Sequence, residues 1–67
     1  MKSGTVKEYD RDRGFGFVTG DDGDDYFLHV SGLREHLKNR GLREGQRVLF
    51  DVDFDMKGDR AINVRIE

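Results

Sequence analysis

Along residues 47–54 the chain alternates with period two. Val48, Phe50, Val52 and Phe54 fall on one face of an extended strand, and Arg47, Leu49, Asp51 and Asp53 on the other. Residues 61–66 repeat the pattern, with Ile62, Val64 and Ile66 set against Ala61, Asn63 and Arg65. Three further β-like runs precede these, at about Gly4–Asp10, Phe15–Thr19 and Tyr26–Val30. The stretches "TGDDGDD" and "DMKGDR" read as hairpin turns, because glycine and aspartate supply the backbone conformations that tight turns need. The pattern predicts an all-β domain. For five short strands, a closed barrel is the economical way to remove sheet edges. One segment departs from period two. In "SGLREHLKNRG", Leu33 and Leu37 lie four apart, with Ser31 placed to cap and Gly41 placed to end a turn. It predicts a short helix or 3₁₀ turn between the third and fourth strands.

The second and third strands do not declare their inner faces. Phe15 and Phe17 oppose Gly16 and Val18, while Phe27 and His29 oppose Tyr26, Leu28 and Val30. Phenylalanine is usually buried, which favours Phe15 and Phe17 as core. Two considerations turn them outward. Burying Tyr26, Leu28 and Val30 leaves His29 in solvent, where it needs no buried partner, and carries Phe27 out with it. Val6, Val18, Tyr26, Leu28, Leu33, Val48, Phe50, Val52, Ile62 and Val64 already fill a barrel of this size, so three more phenylalanines would overpack it. Phe15, Phe17, Phe27 and His29 then share one exposed face, and an exposed aromatic patch normally marks a binding surface. Gly16, between the two phenylalanines, permits close packing or a bend of the strand.

The chain has 67 residues, which allows one domain spanning residues 1–67. It has no cysteine, so disulfides and thiolate metal sites are excluded. No apolar run approaches a membrane span, and "MKSGTVKEYD" lacks the apolar middle of a signal peptide. A cytoplasmic protein without membrane attachment is expected. Twelve Lys and Arg against fourteen Asp and Glu give a net charge of -2. A nucleic-acid binder is usually basic, so this balance argues against one at first sight. The distribution is more permissive: Lys7, Arg11 and Arg13 lie near the aromatic stretch, and the aspartates concentrate at 21–25 and 51–55.

These residues carry a family resemblance. "GTVKEYDRDRGFGFVTGDDGDDYFLHVSGL" resembles the cold-shock domain, with "RGFGFV" similar to its first ribonucleoprotein motif and "YFLHV" to its second. "LREGQRVLFDV" and "RAINV" match its later strands. The resemblance implies a five-stranded antiparallel OB-fold barrel that binds single-stranded RNA and DNA and melts weak RNA structure. By position, it implies an aromatic platform of Phe15, Phe17 and Phe27 with His29, basic positions Lys7, Arg13 and Lys57 near the backbone path, and Asp25 as an acceptor for a base edge. Physics agrees, because stacking tolerates any base at roughly 1–3 kcal/mol each.

The departures from the family pattern weaken this binding. Glu8 and Tyr9 stand where the family has an aromatic pair, Val30 where an aromatic is common, and "REHLKNRGL" offers only His36 in place of another ring. The connection is about one residue longer, and Asp59 replaces a frequent proline. Reduced affinity is expected, with more dependence on Arg34, Lys38, Arg40 and Arg60. Tyr9, Lys38 and Arg60 therefore join the candidate site. The competing reading keeps the barrel as a protein-interaction module that has lost most nucleic-acid binding; Glu8 and the acidic loops favour it. An S1-like RNA-binding domain fits "RGFGFV" less closely. An enzyme is not expected, since the chain has two histidines and no cysteine. "DDGDD" lacks the length and terminal glutamate of an EF-hand loop. No cofactor or metal is expected, and the partners are single-stranded RNA and DNA bound by a monomer.

Overall fold

The computed structural model describes residues 1–67. Its strands are β1 (Lys2–Asp10), β2 (Phe15–Gly20), β3 (Asp25–His29), β4 (Arg47–Asp55) and β5 (Gly58–Ile66). They close into a barrel in the order β1-β2-β3-β5-β4, the five-stranded arrangement expected of an OB-fold. Four seams are antiparallel, and the seam that closes β3 on β5 is parallel. A 3₁₀ turn (Val30–Gly32) and one turn of helix, α1 (Glu35–Lys38), connect β3 to β4. His29, not Ser31, caps the 3₁₀ turn: its Nδ1 accepts from the Ser31 N–H at 3.1 Å. Gly41 ends the helical segment as expected, with φ +70° and its N–H donating to the Leu37 carbonyl.

The core is Val6, Val18, Tyr26, Leu28, Leu33, Leu37, Leu42, Val48, Phe50, Ala61 and Val64. Fully burying one such aliphatic or aromatic side chain contributes about 1.5–3 kcal/mol. Leu37 and Leu42 come from the connection, which closes one end of the barrel. Several expectations are corrected: Val30 and Val52 are only partly buried and pack against the core from outside it. Ile62 is not core; Ala61 is, at 1% exposure. The β4–β5 register shifts between Leu49 and Asp51, so β5 carries an extra residue. Asn63 takes it up at φ +55°, a conformation asparagine tolerates better than most residues. The bulge reverses the alternation, so Ala61 and Val64 both point inward. Phe54 continues the inner face of β4, but the β4–β5 hairpin runs past the end of the barrel and leaves it 80% exposed.

The β2–β3 turn is tied down by aspartates. Arg47 donates to both oxygens of Asp21 at 2.8 Å, and the Tyr26 hydroxyl donates to Asp22 at 2.7 Å. No helix is long and apolar enough to cross a membrane.

Candidate nucleic-acid interface

The outer face of the barrel is a grid set by strand register. Phe15 pairs with His29 and Phe17 with Phe27 across the β2–β3 seam. Phe27 then lies beside Arg60 on β5, and Arg60 opposite Asp53 on β4. On the other side Glu8 opposes Phe17, and Asp10 opposes Phe15. One row therefore reads Glu8, Phe17, Phe27, Arg60, Asp53, and the next reads Asp10, Phe15, His29. Phe15 is 36% exposed, while Phe17 and Phe27 are half-buried. The Phe15 and Phe27 rings are near parallel with centroids 6.2 Å apart, and Phe17 meets Phe27 edge-on at 5.8 Å. The His29 ring lies 6.4 Å from Phe27. Its Nδ1 is occupied as an acceptor from Ser31, which holds the ring in place.

Gly16 makes this face possible. It is buried opposite Tyr9, and a Cβ there would run into the Glu8 carbonyl and lie 2.7 Å from the Tyr9 Cα. Its role is close approach of β1 to β2. Between Val6 and Glu8 the β1–β2 register shifts by one, leaving Lys7 as the extra residue. The shift turns Glu8 outward beside Phe17 and turns Tyr9 inward, half-buried against the core and near Gly41. Burial raises the Tyr9 pKa.

The basic candidates are mostly occupied. Lys7 Nζ is 3.1 Å from Asp25, Arg13 Nε is 3.7 Å from Asp10, and Lys38 Nζ is 3.8 Å from Glu35. Arg60 donates to Asp53 at 2.6 Å, its Nε reaches no hydrogen-bond acceptor, and Asp55 stands 3.7 Å from that nitrogen. The Asp53 contact raises the Arg60 pKa. Lys57, in the β4–β5 turn, has no ion-pair partner. It lines a cleft of about 410 Å³ with Phe17, Phe27, Asp55, Gly58 and Arg60. Asp25 accepts from the Thr19 hydroxyl at 2.8 Å, which together with Lys7 lowers its pKa. No three His, Asp or Glu side chains converge as metal ligands.

The structure thus gathers Phe15, Phe17, Phe27, His29, Asp25, Lys7, Lys57 and Arg60 on or around one face. Arg13 stands at its edge, beside Phe15, on the rim of a second cleft. Tyr9 reaches that cleft but turns its ring toward the core, and Lys38 on α1 lines neither cleft. Asp10, Asp53 and Asp55 were not anticipated as members of the site. The signal for the last two was available, since a two-residue turn at Met56–Lys57 sets Asp53 opposite Arg60.

Comparison with known proteins bears on this face. The model of the 'Cold-shock' DNA-binding domain family matches residues 2–66. The chain is 46% identical over 65 residues to "Cold shock protein 1" of Lactiplantibacillus plantarum, covering 96% of each. It is 42% identical to "Cold shock protein CspC" of Bacillus subtilis, over 97% of each. With the "Major cold shock protein" of Streptococcus pyogenes it shares 39%, over 96% of this chain and 94% of the relative.

Proposed function

The chain belongs to the 'Cold-shock' DNA-binding domain family, and on that premise we propose that it binds single-stranded RNA and DNA by stacking bases on Phe15, Phe17, Phe27 and His29. In this reading it is a cytoplasmic monomer that performs no catalysis and needs no cofactor. It acts as an RNA chaperone or as a regulator of transcription or translation. Melting needs no chemistry, because holding the single strand pulls a weak duplex equilibrium by mass action. The observation that carries the reading is the pairing of Phe15 with His29 and Phe17 with Phe27 on one outward face. A core role leaves these rings unexplained, since eleven other residues fill the barrel.

Affinity is reduced relative to a fully aromatic relative. Glu8 places a carboxylate where a stacking surface would extend the Phe17 row, and Lys7, Arg13 and Arg60 each hold a carboxylate already. The test is an NMR titration with short oligo-U or oligo-dT at low salt. The resonances of Phe15, Phe17, Phe27 and His29 shift together; if none of them moves, the reading fails.

The same carboxylates favour a second reading, a protein-interaction module on the same barrel. Glu8→Trp separates the two. A large gain in oligonucleotide affinity means that the platform is still poised for bases, and no gain favours the interaction module.

A further inference from the structure

Glu8 differs from the carboxylates at Asp10, Asp25, Asp53 and Asp55. Asp10 is held by Arg13, Asp25 by Lys7 and Thr19, and Asp53 and Asp55 by Arg60. Glu8 makes no ion pair and no side-chain hydrogen bond. It is exposed and stands directly across the seam from Phe17. The Cβ atoms of directly opposed residues lie about 4.5–5.5 Å apart, so its carboxylate is within reach of the edge of a base stacked on that ring.

The row also has a polarity. Glu8 forms one end, and Arg60 lies beyond Phe17 and Phe27, with Lys57 in the same cleft. Lys57, the cation there without an ion-pair partner, attracts phosphate to its end, where Arg60 is already held by Asp53 and Asp55; Glu8 repels it at the other end, where Arg11 and Arg13 share its cleft. The three intervening strand spacings total about 14 Å between backbones, and the Glu8 and Lys57 side chains reach inward to shorten the gap that a nucleotide spans. A nucleotide on this row therefore lies with its phosphate toward Lys57 and the edge of its base toward Glu8.

Resting on the single-strand reading above, we propose that Glu8 is a specificity-determining residue that reads the base edge and makes the Phe17 position prefer guanine. An ionised carboxylate is acceptor-only, with two oxygens side by side. Among the bases, guanine alone offers two adjacent donors on its Watson–Crick edge, N1–H and N2–H. Adenine and cytosine place an acceptor nitrogen next to their amino group, and uracil has a single N–H between two carbonyl oxygens. Only guanine satisfies both carboxylate oxygens without bringing a lone pair against them. Glu8 thus costs general affinity through repulsion of phosphate and returns discrimination between bases.

The test uses the full chain and fluorescein-labelled RNA oligomers of about six nucleotides, within the range one OB fold covers. One central uridine is replaced in turn by guanosine, inosine, adenosine or cytidine, and affinity is read by anisotropy. The guanosine oligomer binds roughly 5- to 10-fold tighter than all-U, the low end of what a bidentate base contact supplies. Inosine lacks the N2 amine and falls between the two. Adenosine has the same two-ring stacking area, so it separates edge reading from ring size, and it binds well below guanosine. In Glu8→Ala and Glu8→Gln the guanosine advantage falls to within about twofold, while all-U binding strengthens as a repulsive charge is lost. Equal binding of guanosine and adenosine overturns the proposal, as does a guanosine preference that survives in Glu8→Ala. If no oligomer binds at all, the single-strand reading fails and takes this inference with it. Binding without base preference sinks the inference alone.

Discussion

The occupied state of the basic residues makes a quantitative claim about salt. Of Lys7, Arg13, Lys38, Lys57 and Arg60, all but Lys57 hold a carboxylate. Binding to a single strand weakens with salt because each neutralised phosphate releases counterions, giving a slope of log affinity on log salt of about −0.7 per phosphate contact. Exchanging a carboxylate for a phosphate at an already neutralised cation releases no net counterion. Arg60 is held by both Asp53 and Asp55, so Lys57 alone supplies about one effective contact. The slope is about −0.7, so raising salt from about 50 to about 200 mM weakens binding about 2.6-fold. If all five residues engaged phosphate freely, the slope would be about −3.5 and the loss about 130-fold. The perturbation is therefore salt itself, with Lys57→Gln as its companion. Removing that lysine brings the slope close to zero. Fluorescence anisotropy with a labelled oligo-U at four or five salt concentrations measures both. A wild-type slope of about −3 or steeper, or a slope unchanged by Lys57→Gln, refutes the reasoning, because the ion pairs would then be opening at no electrostatic cost.

Other outcomes follow from the same geometry. Gly16→Ala drives a methyl group into the Glu8–Tyr9 backbone and destabilises the barrel by about 2–3 kcal/mol or more, read from urea unfolding; a change below about 0.5 kcal/mol means the strands were not in close approach. Phe54→Ser lies on the nominal inner face of β4, yet changes stability by no more than about 0.5 kcal/mol, since the ring is exposed. The Asp22–Tyr26 hydrogen bond shapes both pH limits. With the Asp24 N–H and Lys2 it lowers Asp22 to about 2, so that contribution is present above the unfolded carboxylate value and is lost as pH falls toward 2. It raises Tyr26 to about 12, so that contribution is present below the unfolded tyrosine value and is lost as pH rises from 10 to 12. Tyrosinate absorbance should show Tyr26 titrating toward 12 in wild type and moving to lower pH in Asp22→Asn, while Tyr9 is unaffected. With no proline in the chain, refolding runs in a single phase, and a slow proline-like phase in double-jump experiments contradicts this.

The aromatic face was legible because two independent constraints agreed. Period-two alternation grouped Phe15 with Phe17 and Phe27 with His29, and the volume of the remaining core pushed the group outward. Strict alternation breaks down beside the two bulges. A single extra residue at Lys7 exchanges the faces of Glu8 and Tyr9, and one at Asn63 exchanges those of Ala61 and Ile62. Period two carries no record of such an insertion, because the residue that bulges is not distinguished by hydrophobicity. Asn63 offered a weak hint, as a residue type that accepts positive φ. The lid over the barrel end escaped for another reason. Leu37 and Leu42 follow no strand period, and their burial depends on where the connection lands. The ion pairs were legible only in part: Asp53 with Arg60 follows from the hairpin turn, but Lys7 with Asp25 joins strands whose relative register the β1 bulge had changed.

These pairings bear on what the platform selects. Phosphate contacts position a strand without reporting its sequence, and stacking on phenylalanine is nearly as permissive. A face that binds through both has affinity and little discrimination. Here the first contribution is diminished at source, because Asp10, Asp25, Asp53 and Asp55 already occupy the cations that would hold phosphate. Stacking is shortened at the Glu8 end. What remains weighs more heavily on contacts that differ between bases, and the free carboxylate of Glu8 is the one proposed above. Glu8→Trp and Glu8→Ala should therefore move the chain in the same direction on affinity and on selectivity: tighter binding to all-U, and less distinction between guanine and uracil. A variant that gained affinity and kept its preference would show that the discrimination resides elsewhere on the face, with Asp25 the next carboxylate to exchange.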